Sequence, residues 1–349
     1  MSLFSKLFKK ADFKSATLSP GDLRFTVGKG ETILESALRE GIAFPHDCTV
    51  GACGSCRSKL INGQVEAITP FGYTLSKDEL DAGYILACQA LPKTDVILEV
   101  AINANETESA ITCQARIARV EPLTHDISRV TWALDQPMRY RAGQYVNVQV
   151  NDGKHRSYSF AAAPSTAGLS EITTFIRHVP GGLFTDMLFT GAAAALDFEL
   201  NGPHGNFWLR EGEGPIICIA GGSGLAPLIS LLSSAAQRRV RRDCILLYGG
   251  RGARDLYAEA EIAAIRTAWT AGFDFWPVLS EESAPGMRHG FFTSFIPEAL
   301  QKLGAGAQAY LCGPPAMIDA GIDVLRANGV AIEDVHYDKF TDASTQPTK

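Results

Sequence analysis

The segment Cys48-Thr-Val-Gly51-Ala-Cys53-Gly54-Ser-Cys56 places three cysteines on one short loop, and a fourth cysteine lies further along the chain. This Cys-x4-Cys-x2-Cys spacing with a distant fourth residue is the ligand spacing of plant-type 2Fe-2S centres. Four thiolates must converge on two irons, so a tight loop supplies three of them and a remote strand end supplies the fourth. Glycines in the loop let the backbone wrap closely. The sequence therefore predicts a 2Fe-2S cluster with the ligands Cys48, Cys53, Cys56 and Cys88.

The cellular compartment agrees with this prediction. Lysines interrupt the apolar residues at the N-terminus, so no secretory signal is recognisable, and no run of about 18 apolar residues could span a membrane. We therefore expect a cytoplasmic protein whose eight cysteines are metal ligands or catalytic groups rather than disulfides. A zinc site is the alternative interpretation of the cysteine loop, but zinc sites usually pair two Cys-x2–4-Cys units and this chain has one.

Length, composition and net charge limit the number of domains and the kind of partner. A chain of 349 residues is long enough for two or three domains. Its 46% hydrophobic residues are ordinary for a globular protein. The net charge of −6 provides no broad basic field to neutralise phosphates, which argues against nucleic acid as the partner.

The pattern along the chain predicts a multidomain protein. Residues 1–20 form a basic tail, and residues 21–104 form a β-grasp-like α+β domain around the cluster, with the strand LRFTV and a helix from Thr32 to Glu40. The polar residues 103–109 suit a linker. Residues 110–210 carry short alternating runs typical of an antiparallel β-barrel. Residues 213–349 alternate buried-strand runs with helical stretches, which predicts an α/β domain with a parallel sheet.

Two segments of the barrel region predict a flavin site. Arg156-Ser-Tyr158-Ser159 offers a guanidinium for a pyrophosphate, a flat phenol for a flavin ring and a hydroxyl for its N5 atom. Pro180-Gly181-Gly182-Leu-Phe-Thr185 follows a strand and opens a helix, so free backbone N–H groups and a threonine hydroxyl could bind phosphate there. An exposed strand arginine and a plain turn are the alternatives. We extend the site to the neighbouring residues Ser157, Ile176 and Leu183.

The last domain opens with a second phosphate-binding pattern. The strand PIICIA leads into Gly221-Gly222-Ser223-Gly224-Leu-Ala-Pro227 and a helix, although Pro227 stands where the Rossmann motif has its third glycine. Two later strand ends, Gly249 to Arg251 and Cys312-Gly313-Pro314, fall at the same edge of a parallel sheet. We place Cys312 beside the nicotinamide; a small buried strand-end residue is the alternative.

In this order the motifs resemble those of the ferredoxin–NAD(P)H reductase superfamily, specifically oxygenase reductases with an N-terminal plant-type ferredoxin domain. The resemblance covers about residues 20 to 340. It implies that Arg156, Tyr158 and Ser159 bind FAD and that the Gly181–Thr185 segment binds its pyrophosphate. It also implies that a C-terminal aromatic residue shields the flavin. The best match is Phe340, with Tyr337 as the alternative, and Cys312, Ser159 and Phe340 then surround the reacting centre.

This resemblance implies the cofactors FAD, a 2Fe-2S cluster and NADH, with NADPH less favoured because the cations Arg251 and Arg254 are offset by Asp255. A hydride donor delivers two electrons and the cluster accepts one, so a flavin is needed between them. The expected partner is a terminal oxygenase or hydroxylase of membrane di-iron, soluble di-iron or Rieske type, in aromatic hydrocarbon metabolism. The alternatives are a reductase acting on a bound deoxysugar nucleotide and a free-standing ferredoxin.

The N-terminal tail suggests a membrane contact. Leu3, Phe4, Leu7 and Phe8 gather on one side of a short helix while the lysines lie largely elsewhere. A basic amphipathic turn of this kind could rest on an anionic membrane surface, which would place the protein at the inner face of the cytoplasmic membrane. A frayed terminus is the alternative. We expect a monomer.

Overall fold

The computed structural model describes residues 13–42, 44–46, 51, 54–100, 110–151 and 154–340. The chain divides into two compact units, Met1–Thr107 and Glu108–Lys349. The predicted linker, the ligands Cys48 and Cys53, and nearly all of the predicted tail helix lie outside the described residues.

The first unit is built on a five-stranded mixed sheet in the order β2-β1-β7-β3-β5, with a separate hairpin of β4 and β6. Strand β1 pairs in parallel with β7 and antiparallel with β2. This is the α+β arrangement that the sequence predicted. Its elements are β1 (Lys14–Ser19), β2 (Leu23–Val27), α1 (Ile33–Arg39), β3 (Arg57–Asn62), β4 (Val65–Ala67), α2 (Lys77–Asp81), β5 (Tyr84–Leu86), β6 (Ala90–Pro92) and β7 (Val96–Glu99).

Helix α1 confirms the prediction from Thr32 to Glu40. Thr32 is its N-cap: its hydroxyl accepts from the Glu35 N–H, and the Glu35 carboxylate accepts from the Thr32 N–H, which completes a capping box. Ile33, Leu34 and Ala37 are buried in the core of the unit. Local chemistry and tertiary packing therefore agree at this helix.

The predicted tail at residues 1–20 is wrong at its C-terminal end. Residues 14 to 19 form β1, which is hydrogen-bonded on both sides within the sheet. Ala16 and Leu18 are 0% and 1% exposed and belong to the core. Only two apolar residues of this segment are buried, and polar residues surround them, so the sequence pattern did not predict a strand.

The second unit begins with an antiparallel barrel in the order β11-β10-β13-β8-β9-β12. A bridge between Phe160 and Thr174 joins the two edges. Trp132 lies in its core, with its ring edge-on to Phe198 and its indole N–H donating to Thr174 over 3.0 Å. The elements are β8 (Ile111–Pro122), β9 (Ile127–Met138), β10 (Tyr145–Asn151), β11 (Lys154–Ser159), β12 (Leu169–Arg177), α3 (Leu183–Phe189) and β13 (Asp197–His204).

A six-stranded parallel sheet follows, in the order β17-β16-β15-β14-β18-β19. All six residues of β14 are buried, as expected when helices cover both faces of a sheet. The elements are β14 (Ile216–Gly221), α4 (Leu225–Gln237), β15 (Cys244–Gly250), α5 (Glu259–Ala268), β16 (Phe273–Leu279), β17 (Arg288–His289), α6 (Ile296–Leu303), β18 (Gln308–Gly313), α7 (Pro315–Ala327) and β19 (Val335–Lys339).

The barrel and the parallel sheet share a hydrophobic core. Ile127, Phe175 and Phe207 of the barrel half lie in the same buried cluster as Leu225 and Tyr310 of the sheet half. The predicted boundary at residues 210–213 thus separates two sheets that are packed into one compact unit. Within the described part of the chain, no helix is long and apolar enough to cross a membrane.

Candidate functional site: an electron-transfer centre in three parts

Two of the four predicted cluster ligands are described, and they lie together. Cys56 and Cys88 are 2% and 4% exposed. The Cys88 backbone N–H donates to the Cys56 sulfur over 3.4 Å, and the Ala87 N–H donates to the Cys56 carbonyl over 3.1 Å. Two buried cysteines joined by a backbone N–H donated to one ligand sulfur fit a shared iron–sulfur centre.

A buried ion pair supports this ligand pair. Arg57 donates to the carboxylate of Glu79, which is 1% exposed at the start of α2. Burial alone would raise the pKa of Glu79, but Arg57 and the Ser76 backbone N–H outweigh it and hold that pKa below its ordinary value. The Thr74 hydroxyl also donates to the Gly51 carbonyl in the cluster loop. Gly51 and Arg57 are therefore each hydrogen-bonded to the segment 74–79.

The Arg-Ser-Tyr-Ser segment lies at the end of β11. Arg156 is exposed, and its guanidinium donates over 2.9 Å only to the neighbouring His155 carbonyl among the residues that the structure describes. Tyr158 shares a strand face with Arg156 and contacts Phe184 of α3 at 5.7 Å between ring centroids. Ser159 is buried on the opposite face, and Ser157 donates to Asn147 over 2.7 Å. An exposed cation and a half-buried phenol therefore line one side of this strand end.

The glycine loop before α3 faces open space at its first position. Gly181 has φ +76, and a Cβ atom there would meet nothing within 4 Å. At Gly182 a Cβ would lie 2.7 Å from the Val179 carbonyl oxygen, so the chain itself requires this glycine. The backbone is thus free to approach a ligand closely, and Gly182 is also the N-cap of α3.

Three of the residues predicted to contact the flavin lie in different environments. The Thr185 hydroxyl donates to the Val179 carbonyl over 2.9 Å and accepts from the Val179 N–H, so it closes the turn, and a bond to phosphate stays a prediction. Ile176 is 0% exposed in the barrel core, which leaves only its backbone to meet a cofactor. Leu183 is 50% exposed beside the loop.

The second glycine loop lies where the order of the parallel strands reverses, between β14 and β18. Ligands of open α/β sheets bind at such a switch point. A Cβ atom on Gly224 would overlap the Cys312 carbonyl and lie 2.8 Å from the Gly313 nitrogen. A Cβ on Gly221 would overlap the Met317 sulfur. Pro227 occupies the first turn of α4. The two predicted nucleotide segments therefore meet at one edge of the sheet.

Cys312 ends β18 with its side chain fully buried. Burial raises the pKa of its thiol well above the ordinary value, so this cysteine is neutral rather than a thiolate nucleophile. In register beside it, burial raises the pKa of Asp338 to about 7. The Phe340 N–H donates to the Gly313 carbonyl over 2.9 Å, which places the predicted aromatic residue beside this strand end.

The sequence did not indicate two residues that contact the nucleotide loop, one from the barrel and one from the sheet half. The guanidinium of Arg177, at the end of β12, lies 2.9 Å from the position a Gly222 Cβ would take, and Asp126 pairs with it over 2.8 Å. The Tyr257 hydroxyl donates to the Gly222 carbonyl over 2.9 Å. Arg177 directly follows the predicted Ile176, but nothing in its sequence context indicated that a barrel strand would reach this loop.

At the end of β15, the structure changes the roles expected of the charged residues. Asp255 accepts the backbone N–H groups of Arg251 and Gly252 at 3.0 and 2.9 Å, so this buried carboxylate stabilises the loop. The exposed carboxylate here is that of Glu282, which accepts the Ala253 N–H. Glu281 is hydrogen-bonded through its backbone to the Arg251 carbonyl. Two acids therefore stand where Asp255 was expected to act.

These observations fit the expected cofactors. The exposed Arg156 and the open Gly181 backbone suit a pyrophosphate next to a flavin ring, and the converging glycine loops suit a dinucleotide. The two buried cysteines Cys56 and Cys88, joined by a backbone hydrogen bond, suit an iron–sulfur cluster. Such a combination defines an electron-transfer flavoprotein reductase that carries its own iron–sulfur domain.

Comparison with known proteins agrees with this class. The chain matches the 2Fe-2S iron-sulfur cluster binding domain over residues 16–93. It matches the oxidoreductase FAD-binding domain over 114–208 and the oxidoreductase NAD-binding domain over 218–321. It is 39% identical over 340 residues to the xylene/toluene monooxygenase electron transfer component XylA of Pseudomonas putida, covering 96% of each chain.

Two further similarities come from Amycolatopsis. The reductase subunit of an aromatic O-demethylase is 37% identical over 334 residues, covering 94% of this chain and 99% of its own. The crystal structure of the cytochrome P450 reductase GcoB superposes with a TM-score of 0.71 at 35% identity, covering 95% of this chain and 99% of that one. The chain belongs to the family of iron–sulfur flavoprotein reductases that these proteins represent. It is an NAD(P)H-dependent oxidoreductase with FAD and a 2Fe-2S cluster.

Proposed function

We propose that this chain is the NADH-dependent reductase component of an oxygenase system, and that it passes electrons from NADH through FAD and the cluster to a terminal oxygenase or hydroxylase. The observation that carries the proposal is the convergence of the Gly224 loop, the Cys312 strand end and the barrel residue Arg177 within one unit. Relatives that match nearly the whole chain are named as an electron transfer component and a reductase component of monooxygenases. FAD supplies the step between two-electron hydride transfer and single-electron transfer to the cluster.

The residues of the chain divide this work among them. Arg177 and the glycine loop would hold the pyrophosphate of the dinucleotide, because a guanidinium and backbone N–H groups both bind phosphate oxygens. Arg156 and the Gly181–Gly182 backbone would hold the FAD pyrophosphate. Phe340 would cover one flavin face and Tyr158 the other. Cys48, Cys53, Cys56 and Cys88 would ligate the cluster.

The choice of NADH over NADPH follows from the acids at the end of β15. Glu281 and Glu282 would repel a 2′-phosphate, although Arg251 and Arg254 are exposed nearby. We expect a kcat/KM ratio that favours NADH, and a Glu281→Gln/Glu282→Gln double variant should narrow that ratio. The matched control is Glu298→Gln, whose carboxylate pairs with Arg288 on a different strand connection. Equal use of NADPH by the wild-type protein would overturn the assignment.

The oxygenase role is tested with separate acceptors. The holoprotein should oxidise NADH with cytochrome c as acceptor and should sustain product formation by a terminal component of membrane di-iron, soluble di-iron or Rieske type. Reduction of cytochrome c without delivery to any of the three classes would contradict the oxygenase partner. Turnover of a deoxysugar nucleotide would instead support the alternative function.

The N-terminal tail stays a separate proposal, in which residues 1–12 contact an anionic membrane surface from the cytoplasmic side. Because Lys14 begins β1, a deletion that tests the tail must end at residue 12. Deletion of residues 2–12 should reduce flotation with anionic liposomes while leaving reduction of cytochrome c unchanged. Unchanged flotation would make the tail a passive extension.

A further inference from the structure

Gln89 carries a buried side-chain amide that has no role in the electron transfer proposed above. It directly follows Cys88 and is 7% exposed. A buried amide has to be hydrogen-bonded, since an unsatisfied one is costly. The Gln89 Nε2 atom donates to the Cys88 carbonyl over 2.9 Å and reaches the Cys88 sulfur at 3.9 Å.

The position of this side chain is fixed by the cluster loop itself. A Cβ atom on Gly51 would lie 2.7 Å from Gln89 Cγ, so the glutamine packs directly against the bare backbone of that loop. The Gln89 backbone carbonyl accepts the Ile68 N–H over 2.9 Å, which also fixes the backbone of this residue. Gly51 is therefore needed for the fit of Gln89 as well as for its own φ of +81.

An N–H group directed at a ligand sulfur affects the two redox states unequally. Reduction adds one negative charge to an iron–sulfur centre, and part of it resides on the sulfurs. A hydrogen bond to sulfur stabilises this added charge, so the donor favours the reduced state and raises the potential.

We propose that the Gln89 carboxamide is a positioning residue that raises the reduction potential of the cluster by donating to the Cys88 sulfur. The proposal rests on the ligand role assigned above to Cys88 and is independent of the terminal partner. Its chemistry is a neutral hydrogen bond, so its effect persists across the pH range in which the protein is folded.

The test is a redox titration of the full holoprotein, followed by the cluster absorbance and its electron paramagnetic resonance signal. Gln89→Leu removes the donor at similar volume, and the exposed Gln64→Leu is the matched control in the same unit. We expect Gln89→Leu to disfavour the reduced cluster roughly three- to tenfold, where tenfold is about 59 mV for one electron. Gln64→Leu and the flavin potential should not change.

Two further measurements keep the outcome decisive. Gln89→Glu keeps the shape but loses the amide donor and introduces a carboxyl group, so it should lower the potential at least as far. In the wild-type protein labelled with 15N-glutamine, pulsed resonance of the reduced cluster should detect a coupled side-chain nitrogen. An unchanged potential in a cluster-loaded Gln89→Leu protein, or no coupled nitrogen, would overturn the proposal. A Cys88→Ser protein with an unaltered cluster spectrum would refute the ligand assignment instead.

Discussion

Gly181 and Gly224 lie in two glycine loops of the second unit that look alike in sequence, but the two glycines are required for opposite reasons. At Gly181 the space around the missing Cβ is open and only the positive φ requires glycine. At Gly224 the φ is an ordinary −61, and the neighbouring backbone of Cys312 and Gly313 leaves no room for a side chain. Gly181 thus leaves space in which a ligand could approach the backbone, whereas Gly224 is required by contacts within the protein.

Each loop is also held by one hydroxyl group. Thr185 closes the Gly181–Gly182 turn from within the same segment, and Tyr257 holds the Gly222 carbonyl from a distant one. The flavin loop is therefore a local structure, whereas the nucleotide loop depends on three separate parts of the chain. Substitutions in the second loop should consequently disturb more of the protein.

The largest effect is expected for Gly224→Ala. The added methyl group would overlap the Cys312 carbonyl, and such overpacking usually costs about 1–3 kcal/mol. We expect more than a tenfold loss of NADH-driven flavin reduction and a lower Tm, measured by stopped-flow absorbance and calorimetry. Gly249→Ala is the control for Tm, because its Cβ would make only ordinary contacts at 3.7 and 3.9 Å. A normal Tm for Gly224→Ala would break the contrast between the loops.

Gly181→Ala should be milder and should act through conformation alone. A left-handed alanine costs about 1–2 kcal/mol, while asparagine tolerates this region better. Denaturant unfolding should therefore rank the wild type above Gly181→Asn and Gly181→Ala last, with FAD retention in the same order. If asparagine is as harmful as alanine, contact rather than φ limits this position.

Thr185→Val removes a buried hydroxyl that makes two hydrogen bonds to Val179. We expect a loss of about 1–2 kcal/mol in the free energy of unfolding and faster release of FAD. Thr185→Ser retains the hydroxyl and is the matched control. Faster FAD release without any loss of stability would instead support a direct phosphate contact for this side chain.

Tyr257→Phe tests the corresponding support of the nucleotide loop. Loss of its hydrogen bond to the Gly222 carbonyl should cost about 1 kcal/mol and raise the KM for NADH several-fold. FAD content should stay the same because the flavin loop is held separately. Tyr248→Phe loses a bond to the Asp255 carbonyl instead and serves for comparison.

A pH dependence is expected at Asp338, which lies beside the Cys312 strand end and outside both loops. Burial raises the pKa of Asp338 from an ordinary value of 3.8 to about 7, so the folded state retains a proton that the unfolded state releases. Stability relative to Asp338→Asn should therefore fall as pH rises from about 4 to 7 and level off above 7. The effect of Thr185→Val should not vary over this window. A difference that grows with pH would show that Asp338 is paired as an anion.

The sequence predicted those parts of the fold that local chemistry determines. Helix α1 was predicted from Thr32 to Glu40, and the structure adds that Thr32 and Glu35 form a capping box there. Strand β14 was predicted because an unbroken apolar run precedes a glycine loop. Strand β1 was missed because its two buried positions are separated by polar residues. The strand exists through pairing with β7, which no local pattern encodes.

The site divides in the same way. Glycines, Arg156 and the Cys312 strand end were identified because motifs carry them. Arg177 and Tyr257 were not, since their roles depend on a barrel strand and a helix-flanking tyrosine meeting at Gly222. Asp255 was weighed against Arg251 and Arg254 as a charge, and its burial beneath the β15 loop is a tertiary property that the sequence did not indicate.

The shared core of the second unit limits how such reductases can be recombined. A crossover within residues 101–109 falls at the division between the two compact units and leaves each hydrophobic cluster with its own sequence. A crossover near residue 212 would instead separate Phe207 from Tyr310, whose rings meet edge-on at 5.9 Å. Chimeras that exchange the iron–sulfur module should thus keep both hydrophobic cores intact. Exchange of the nucleotide half alone would instead pack together two surfaces from different proteins that have not evolved in contact with each other.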